Sequence, residues 1–183
     1  MHGDYMCSKS PALCNNRGKA DKDNAEMSGQ EPRFELPPFD QIGIVVEDID
    51  RAIEFYTSVF GFGPFAVREV ELDDVIYRGR SCYCRQRNAF AQLGPIQIEL
   101  IQPLEGESPH ADFLMKNGEG LEHLRFQVDN LNDMLVELGR RGIEPIYRKS
   151  FPHYGMAFAY VDSDKVGGVL FELMQRTTHD LPR

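Results

Sequence analysis

Two stretches, Gln41-Ile-Gly-Ile-Val-Val-Glu-Asp-Ile-Asp-Arg-Ala-Ile-Glu-Phe-Tyr (41–56) and His123-Leu-Arg-Phe-Gln-Val-Asp-Asn-Leu-Asn-Asp-Met-Leu-Val-Glu-Leu (123–138), are copies of one pattern at an offset of 82 residues. Their apolar pattern is shared along most of the stretch, and acid/amide chemistry recurs at Glu47/Asp129 and Asp48/Asn130. Each copy reads as strand, cap, helix. In the first, Ile42, Ile44 and Val46 alternate as a half-buried strand, Asp48 or Asp50 caps, and Ile49, Ala52, Ile53, Tyr56, Val59 and Phe60 mark one helical face. In the second, Leu124, Phe126 and Val128 alternate, Asn130 caps, and Leu131, Met134, Leu135 and Leu138 form the stripe. Gly61 and Gly142 stop the two helices at matching places.

The repeat has a second half. Ile96-Gln-Ile-Glu-Leu-Ile-Gln resembles Val169-Leu-Phe-Glu-Leu-Met-Gln, which sets Glu99 opposite Glu172 at an offset of 73. Between these segments lie strand candidates at residues 65–71, 81–93, 145–148 and 156–161, so each module reads as one strand, one helix and three strands. Module one covers residues 39–103 and module two 121–175, joined by a short helix over 108–117. Paired βαβββ units predict an α+β fold, one curved eight-stranded mixed sheet with the helices outside.

The 183 residues carry 20 Lys plus Arg against 29 Asp plus Glu, a formal charge of −9. That balance opposes binding to nucleic acid or to an anionic membrane, which basic side chains drive. No apolar run approaches the ~18 residues of a membrane span and no signal-peptide pattern opens the chain, so a cytoplasmic protein is expected. Residues 1–33 hold five acids, five bases, a single Leu and no Ile, Val or Phe. Residues 1–35 therefore read as a disordered tail, with Met27 as an alternative start, ahead of a folded domain over 36–176 and a C-terminal tail over 177–183. Arg78, Arg80, Arg85 and Arg87 form the dense basic cluster, read as a solvated strand edge in preference to an anion site. Cys7 and Cys14 fall in the tail, and Cys82 and Cys84 share one strand face, where neighbours two apart do not easily bridge, so reduced thiols are expected.

Four side chains occupy equivalent places in the two modules. Each first strand opens on a polar residue, Gln41 or His123, and each last strand carries one acid in an apolar run, Glu99 or Glu172. Strand alternation turns all four away from the apolar face. An acid within a buried strand is costly unless its charge is compensated. Two acids, an imidazole and an amide oxygen meeting in a trough suit one divalent cation. Taken singly, a strand His or Glu is more often a satisfied structural group or a solvated face; the recurrence favours ligation. Arg125 and Gln127 share the face of His123, and Gln97 that of Glu99, where they would hold substrate oxygens or lie exposed. Phe151-Pro-His-Tyr-Gly-Met reads as a mobile loop able to act as a lid, with His153 as a solvated residue or an acid/base. His110 has no partner that the sequence names.

The segment from Phe39 to Gln175 resembles the vicinal oxygen chelate superfamily, the glyoxalase and bleomycin-resistance fold. Within it, Ile98-Glu-Leu-Ile-Gln-Pro-Leu-Glu-Gly-Glu-Ser-Pro, Phe113-Leu-Met-Lys-Asn-Gly-Glu-Gly-Leu-Glu-His and Gly167-Gly-Val-Leu-Phe-Glu-Leu-Met-Gln resemble methylmalonyl-CoA epimerases most closely. The resemblance carries the metal ligands onto Gln41, Glu99, His123 and Glu172, and implies one divalent ion (Zn, Co, Ni or Mn) and a homodimer. Epimerases generally carry His where this chain has Gln41, whereas Gln, Glu, His, Glu in this order resembles eukaryotic-type glyoxalase I. The glutathione-gripping residues of that branch are not matched at Val45 and Pro103. The strand position where a second acid assists proton transfer in some epimerases is Asn88 here.

Both branches imply one chemistry. A divalent ion with open positions holds two substrate oxygens and stabilises the enolate formed as the adjacent carbon loses its proton. Glu172 is the candidate base, with Glu99 on the opposite side to return the proton. The substrate expected is a small molecule with carbonyl or carboxylate oxygens, such as a CoA thioester. The readings are an epimerase-like isomerase, a glyoxalase I-like lyase, and a non-catalytic small-molecule-binding or resistance protein of the same fold. A ring-cleaving dioxygenase is disfavoured, because Gln41 displaces the second His of its iron site.

Overall fold

The computed structural model describes residues 34–162 and 167–177. Its elements run β1 (Phe39–Val45), α1 (Ile49–Phe60), β2 (Ala66–Tyr77), β3 (Arg80–Leu93), β4 (Ile96–Gly106), α2 (Pro109–Asn117), β5 (Gly120–Gln127), α3 (Leu131–Arg140), β6 (Pro145–Phe151), a 3-10 turn (Pro152–Tyr154), β7 (Met156–Val161) and β8 (Leu170–Arg176). This is the expected α+β architecture of two βαβββ modules. The mixed sheet closes on itself in the order β1-β4-β3-β2-β6-β7-β8-β5. No helix among the described residues is long and apolar enough to cross a membrane.

Local chemistry sets the helices. Asp48 caps α1 by accepting from the amides of Asp50 and Arg51, and Gly61 ends it at φ 69°. Asn130 caps α3 through the amide of Asp133. The stripe of α1 packs Ile49, Ala52, Ile53 and Tyr56 on Val46, Ala89, Ile98 and Leu100. That of α3 packs Leu131, Met134, Leu135 and Leu138 on Phe126, Val128, Ala159 and Leu173. A third apolar cluster contains no helical residue: Leu72, Val75, Tyr77, Cys84, Tyr147, Phe158, Tyr160 and Met174 fill the barrel from its own strands.

The closing seam is where structure and sequence part. β2 runs past the expected residue 71 and β6 past 148, and their extensions pair Ile76 with Arg148 and Tyr77 with Tyr147. The register shift between Leu72 and Val75, with Asp74 at φ 53°, obscures the strand in sequence because aspartate disfavours regular strand. Arg78 and Gly79, at φ 49° and 78°, make the two-residue turn into β3.

The edge expectation fails for half of the arginine cluster: Arg85 and Arg87 lie where β3 pairs with β2 on one side and β4 on the other, whereas Arg80 pairs with β2 alone and Arg78 sits in the turn before β3. The cluster's charges are met by acids: Arg78 by Asp112 at 3.1 Å, Arg80 by Glu107 at 2.7 Å, Arg85 by Glu69 at 2.8 Å and Arg87 by Asp50 at 2.8 Å. These pairs lie at the surface and contribute little stability each, but they leave the cluster no excess of positive charge to attract an anion. Cys82 and Cys84 are free thiols, while Cys7 and Cys14 lie outside the described residues. So does the expected N-terminal tail, apart from its last two positions, and there Phe34 packs on the α3 cluster beneath the guanidinium of Arg141. The C-terminal tail beyond Thr177 is likewise outside the described residues.

Tyr147 joins the seam to the interior. It is fully buried, stacks edge-on to Tyr77, His110 and Tyr160, and its hydroxyl lies 3.1 Å from Cys84 Sγ. Tyr147→Ala should lower the unfolding free energy by about 3–5 kcal/mol in urea titrations, and Tyr147→Phe by about 1 kcal/mol. An alanine variant of near wild-type stability would show that the seam does not hold the barrel.

Candidate metal centre

β1 and β5 lie side by side and antiparallel, with Gln41 opposite Arg125 and Gly43 opposite His123. The 82-residue offset carries Gln41 onto His123 and Gly43 onto Arg125, so this register is a two-fold relation between the modules. β4 adds parallel to β1 with Glu99 beside Gly43, and β8 adds parallel to β5 with Glu172 beside Arg125. Four strands thereby deliver Gln41, Glu99, His123 and Glu172 to one point. All four are buried, at 1%, 6%, 0% and 4% exposure.

The point is His123 Nε2. Gln41 Oε1 lies 3.5 Å from it, Glu172 Oε2 3.5 Å and Glu99 Oε2 3.7 Å. Donors held about 2.0–2.2 Å from a tetrahedral cation stand about 3.3–3.6 Å apart. The observed separations fit that spacing, and one imidazole, two carboxylates and an amide oxygen are a suitable donor set for a divalent transition metal.

Each donor is aimed by a neighbour. Gln41 Nε2 donates to Gln97 Oε1 at 2.8 Å, which turns the Gln41 oxygen inward. Asn88 Nδ2 donates to Glu99 Oε1 at 2.5 Å, leaving Oε2 toward His123. Glu122 Oε2 lies 3.0 Å from His123 Nδ1, so the ring proton sits on Nδ1 and the Nε2 lone pair faces the centre. Glu122 is in turn held by His110 Nδ1 at 2.8 Å. The ring of Tyr160 packs edge-on against both histidines.

Glu122 and His110 were not legible in the sequence. Strict alternation would send Glu122 to the face opposite His123, but the β1/β5 register slips between Gly43 and Ile44. The bulge lets consecutive residues turn to one side. A matching slip between Phe39 and Gln41 brings Asp40 round to Arg125, with bonds of 2.9 and 3.1 Å. Arg125 is thus committed to Asp40, Gln127 donates to the carbonyl of Met174, and Gln97 serves Gln41; none of the three lies exposed, and each has a protein partner. His153 is exposed in the 3-10 turn at the Arg176 end of β8, and no hydrogen bond or ion pair joins it to the centre among the described residues. That turn is bonded to Thr177, and nothing in its contacts makes it a lid.

Burial pushes the Glu172 carboxyl above its ordinary range, nearby Glu99 adds to the rise, and His123 and Arg125 offset it only in part. Burial opposes protonation of His123, but Glu122, Glu172 and Glu99 outweigh it and raise that pKa. For Glu122 burial also works against the charge, yet His110 and His123 hold its carboxyl down at about 2.

The family model of the glyoxalase/bleomycin resistance protein/dioxygenase superfamily matches residues 40–160, which include three of the four central residues. The chain belongs to this superfamily. Bacillus subtilis YqjC, an uncharacterized protein, is 34% identical over 139 residues, covering 74% of this chain and 90% of YqjC. Human mitochondrial methylmalonyl-CoA epimerase is 28% identical over 144 residues, covering 78% of this chain and 76% of that enzyme. The crystal structure of methylmalonyl-CoA epimerase from Mycobacterium tuberculosis has a TM-score of 0.59 at 29% identity over 78% of this chain and 89% of its own. A methylmalonyl-CoA epimerase solved with methylmalonyl-CoA has a TM-score of 0.60 at 25% identity over 81% of this chain and 100% of its own.

Gly43 lies beneath the His123 ring, where any Cβ would collide with the imidazole. Gly43→Ala should displace His123, and Glu122→Gln should loosen it, each lowering divalent-metal affinity by about 10–100-fold in a competition titration with the far-UV spectrum retained. Unchanged affinity in both would detach Glu122 from any metal role. In metal-free protein, His123 and Glu172 both bind protons more tightly folded than unfolded, so stability falls as pH rises from the ordinary carboxylate value of 4.5 past the ordinary imidazole value of 6.5. Glu122 acts oppositely, but its contribution is lost only as pH falls below 4.5 toward about 2. The melting temperature of chelated protein should therefore drop between about pH 5 and 8, and added divalent metal should restore it most at the upper end. A flat or rising profile would contradict these assignments.

Proposed function

We propose that the protein is a divalent-metal-dependent enzyme that removes a proton next to a carbonyl, with the activity of a methylmalonyl-CoA epimerase-like isomerase. One observation carries this reading: two buried carboxylates, Glu99 and Glu172, flank a single imidazole nitrogen at symmetry-related positions. A bound divalent ion would be held by Gln41, Glu99, His123 and Glu172 and would supply charge to a substrate oxygen as the neighbouring carbon loses its proton.

The chain's own residues do the rest. Glu172, driven toward its protonated form by burial and by Glu99, is a stronger base than a solvated carboxylate and takes the proton from one face. Glu99, on the symmetry-related strand, delivers a different proton, carried on Oε2, to the other face, so each turnover leaves Glu172 protonated and Glu99 ionised until exchange with solvent resets them. Arg125, anchored by Asp40, places positive charge beside Glu172 and limits how far its pKa climbs. Asn88 Nδ2 holds Glu99 Oε1 and so fixes which carboxylate oxygen faces the centre. Glu122 keeps the His123 proton on Nδ1, away from the reacting side.

Gln41 supports a second reading, a glyoxalase I-like lyase. Its amide oxygen faces inward where the epimerase resemblance calls for His, completing the Gln, Glu, His, Glu set. Both readings use the same proton removal and differ in substrate. The third, a binding protein without chemistry, predicts neither proton exchange nor loss of function on chelation.

Metal analysis of protein purified without added ions should find one divalent ion per chain. Deuterium exchange from solvent into methylmalonyl-CoA should require that ion, and isomerisation of the hemithioacetal of methylglyoxal and glutathione tests the lyase. Glu172→Gln should reduce turnover by about a thousand-fold or more while the fold persists. Absence of bound divalent metal, or substantial activity in that variant, would overturn the assignment.

A further inference from the structure

A polar chain runs away from the centre along β3. Glu99 Oε1 accepts from Asn88 Nδ2, and Asn88 Oδ1 accepts from Gln86 Nε2 at 2.9 Å. Its direction is not arbitrary. A carboxylate offers only acceptors, so Asn88 must turn its nitrogen to Glu99 and its oxygen to Gln86. Gln86 must then present its nitrogen to Asn88, which leaves Oε1 on the far side. That oxygen is buried, and no protein donor reaches it among the described residues; it is the one such side-chain atom there. Gln86 itself is only 5% exposed. A buried acceptor without a donor is costly, and the amide cannot flip to relieve it without breaking its bond to Asn88.

The position of Gln86 says what would reach it. Gln86 lies between Asn88 and Cys84 on one face of β3, and Cys84 belongs to the aromatic cluster that fills the barrel. Gln86 therefore stands at the boundary between the polar centre and the sealed interior, two amide groups removed from the carboxylate. We infer that Gln86 is a specificity residue whose side-chain oxygen accepts a hydrogen bond from an uncharged donor, a hydroxyl or an amide N–H, on the acyl part of a ligand held at the centre. This rests on the proposed function for the ligand's anchoring, and it narrows the substrate class to acids or acyl thioesters that carry such a donor away from the reacting carbon. Asn88 is a positioning residue: its bonds to Glu99 Oε1 and Gln86 Nε2 fix which way the Gln86 oxygen points.

The test is calorimetric titration of Mn²⁺-loaded protein with short unbranched acids, butyrate to hexanoate, each against its terminal-hydroxyl and terminal-amide counterparts. At one chain length, a donor-bearing acid should bind about ten-fold or more tighter than its plain partner, the hydroxyl and amide arms showing which donor is read. Gln86→Leu, or Gln86→Met if the leucine variant does not fold, should reduce that preference to within about two-fold, read as the ratio of the two acids' affinities in one protein so that any change at the centre itself cancels. Equal affinities at every length in wild type, the result expected if water alone satisfies Oε1, overturn the inference, as does a preference that survives in the variant. Mn²⁺ binding is measured first in the same protein, so failure of the metal centre is seen separately from failure of Gln86 to discriminate.

Discussion

Three glutamates, Glu99, Glu122 and Glu172, are buried inside one small barrel, and the arrangement around them follows from the need to compensate their charge. An unpaired buried carboxylate costs several kcal/mol even after relaxation. Glu122 is satisfied by two imidazoles. Arg125 is bound to Asp40 and lends Glu172 only its field. Glu99 and Glu172 are left to share His123 Nε2 at 3.7 and 3.5 Å, a single proton's worth of compensation for two charges. A divalent cation would complete the balance, and a proton on His123 or Glu172 is the substitute available without it. The same imbalance, on top of burial, holds the Glu172 carboxyl above its ordinary range.

Precision at this point comes from duplication and from two departures from regularity. The two-fold register of β1 against β5 brings Gln41 and His123 together, and the parallel partners β4 and β8 bring Glu99 and Glu172. A strictly regular pair would leave Asp40 and Glu122 on the outer face. The two slips in that register turn both inward, one to anchor Arg125 and one to hold His123. Symmetry is also broken where it matters: module two has Arg125, and its counterpart in module one is Gly43, whose missing side chain is the space the His123 ring occupies.

Much of this was legible in the chain. Ile42, Ile44 and Val46, with their counterparts 82 residues on, are alternating apolar residues followed by a cap and a helical stripe, and both helices form where expected, although Val59 and Phe60 of the first stripe lie exposed. The placement of Gln41, Glu99, His123 and Glu172 on one face follows from alternation and repetition alone. The seam between β2 and β6 was not legible, because Asp73 and Asp74 interrupt the pattern that would announce it. Arg85 and Arg87 were misread as an edge, because being internal depends on distant strands lying on both sides.

The sequence by itself determined the module, its duplication, the capped helices and the shared face of Gln41, Glu99, His123 and Glu172, because these rest on local periodicity and on comparing the chain with itself. Only the tertiary structure decided how far apart the donors stand, which atoms face inward, that His110 supports Glu122, and that Gln86 is left with an unmatched oxygen. Those features depend on bulges and on contacts between residues far apart in the chain, such as Asp40 with Arg125 and His123 with Gln41. A bulge changes which face a side chain takes without altering the residue types that periodicity reads, so no pattern along one strand could have disclosed it.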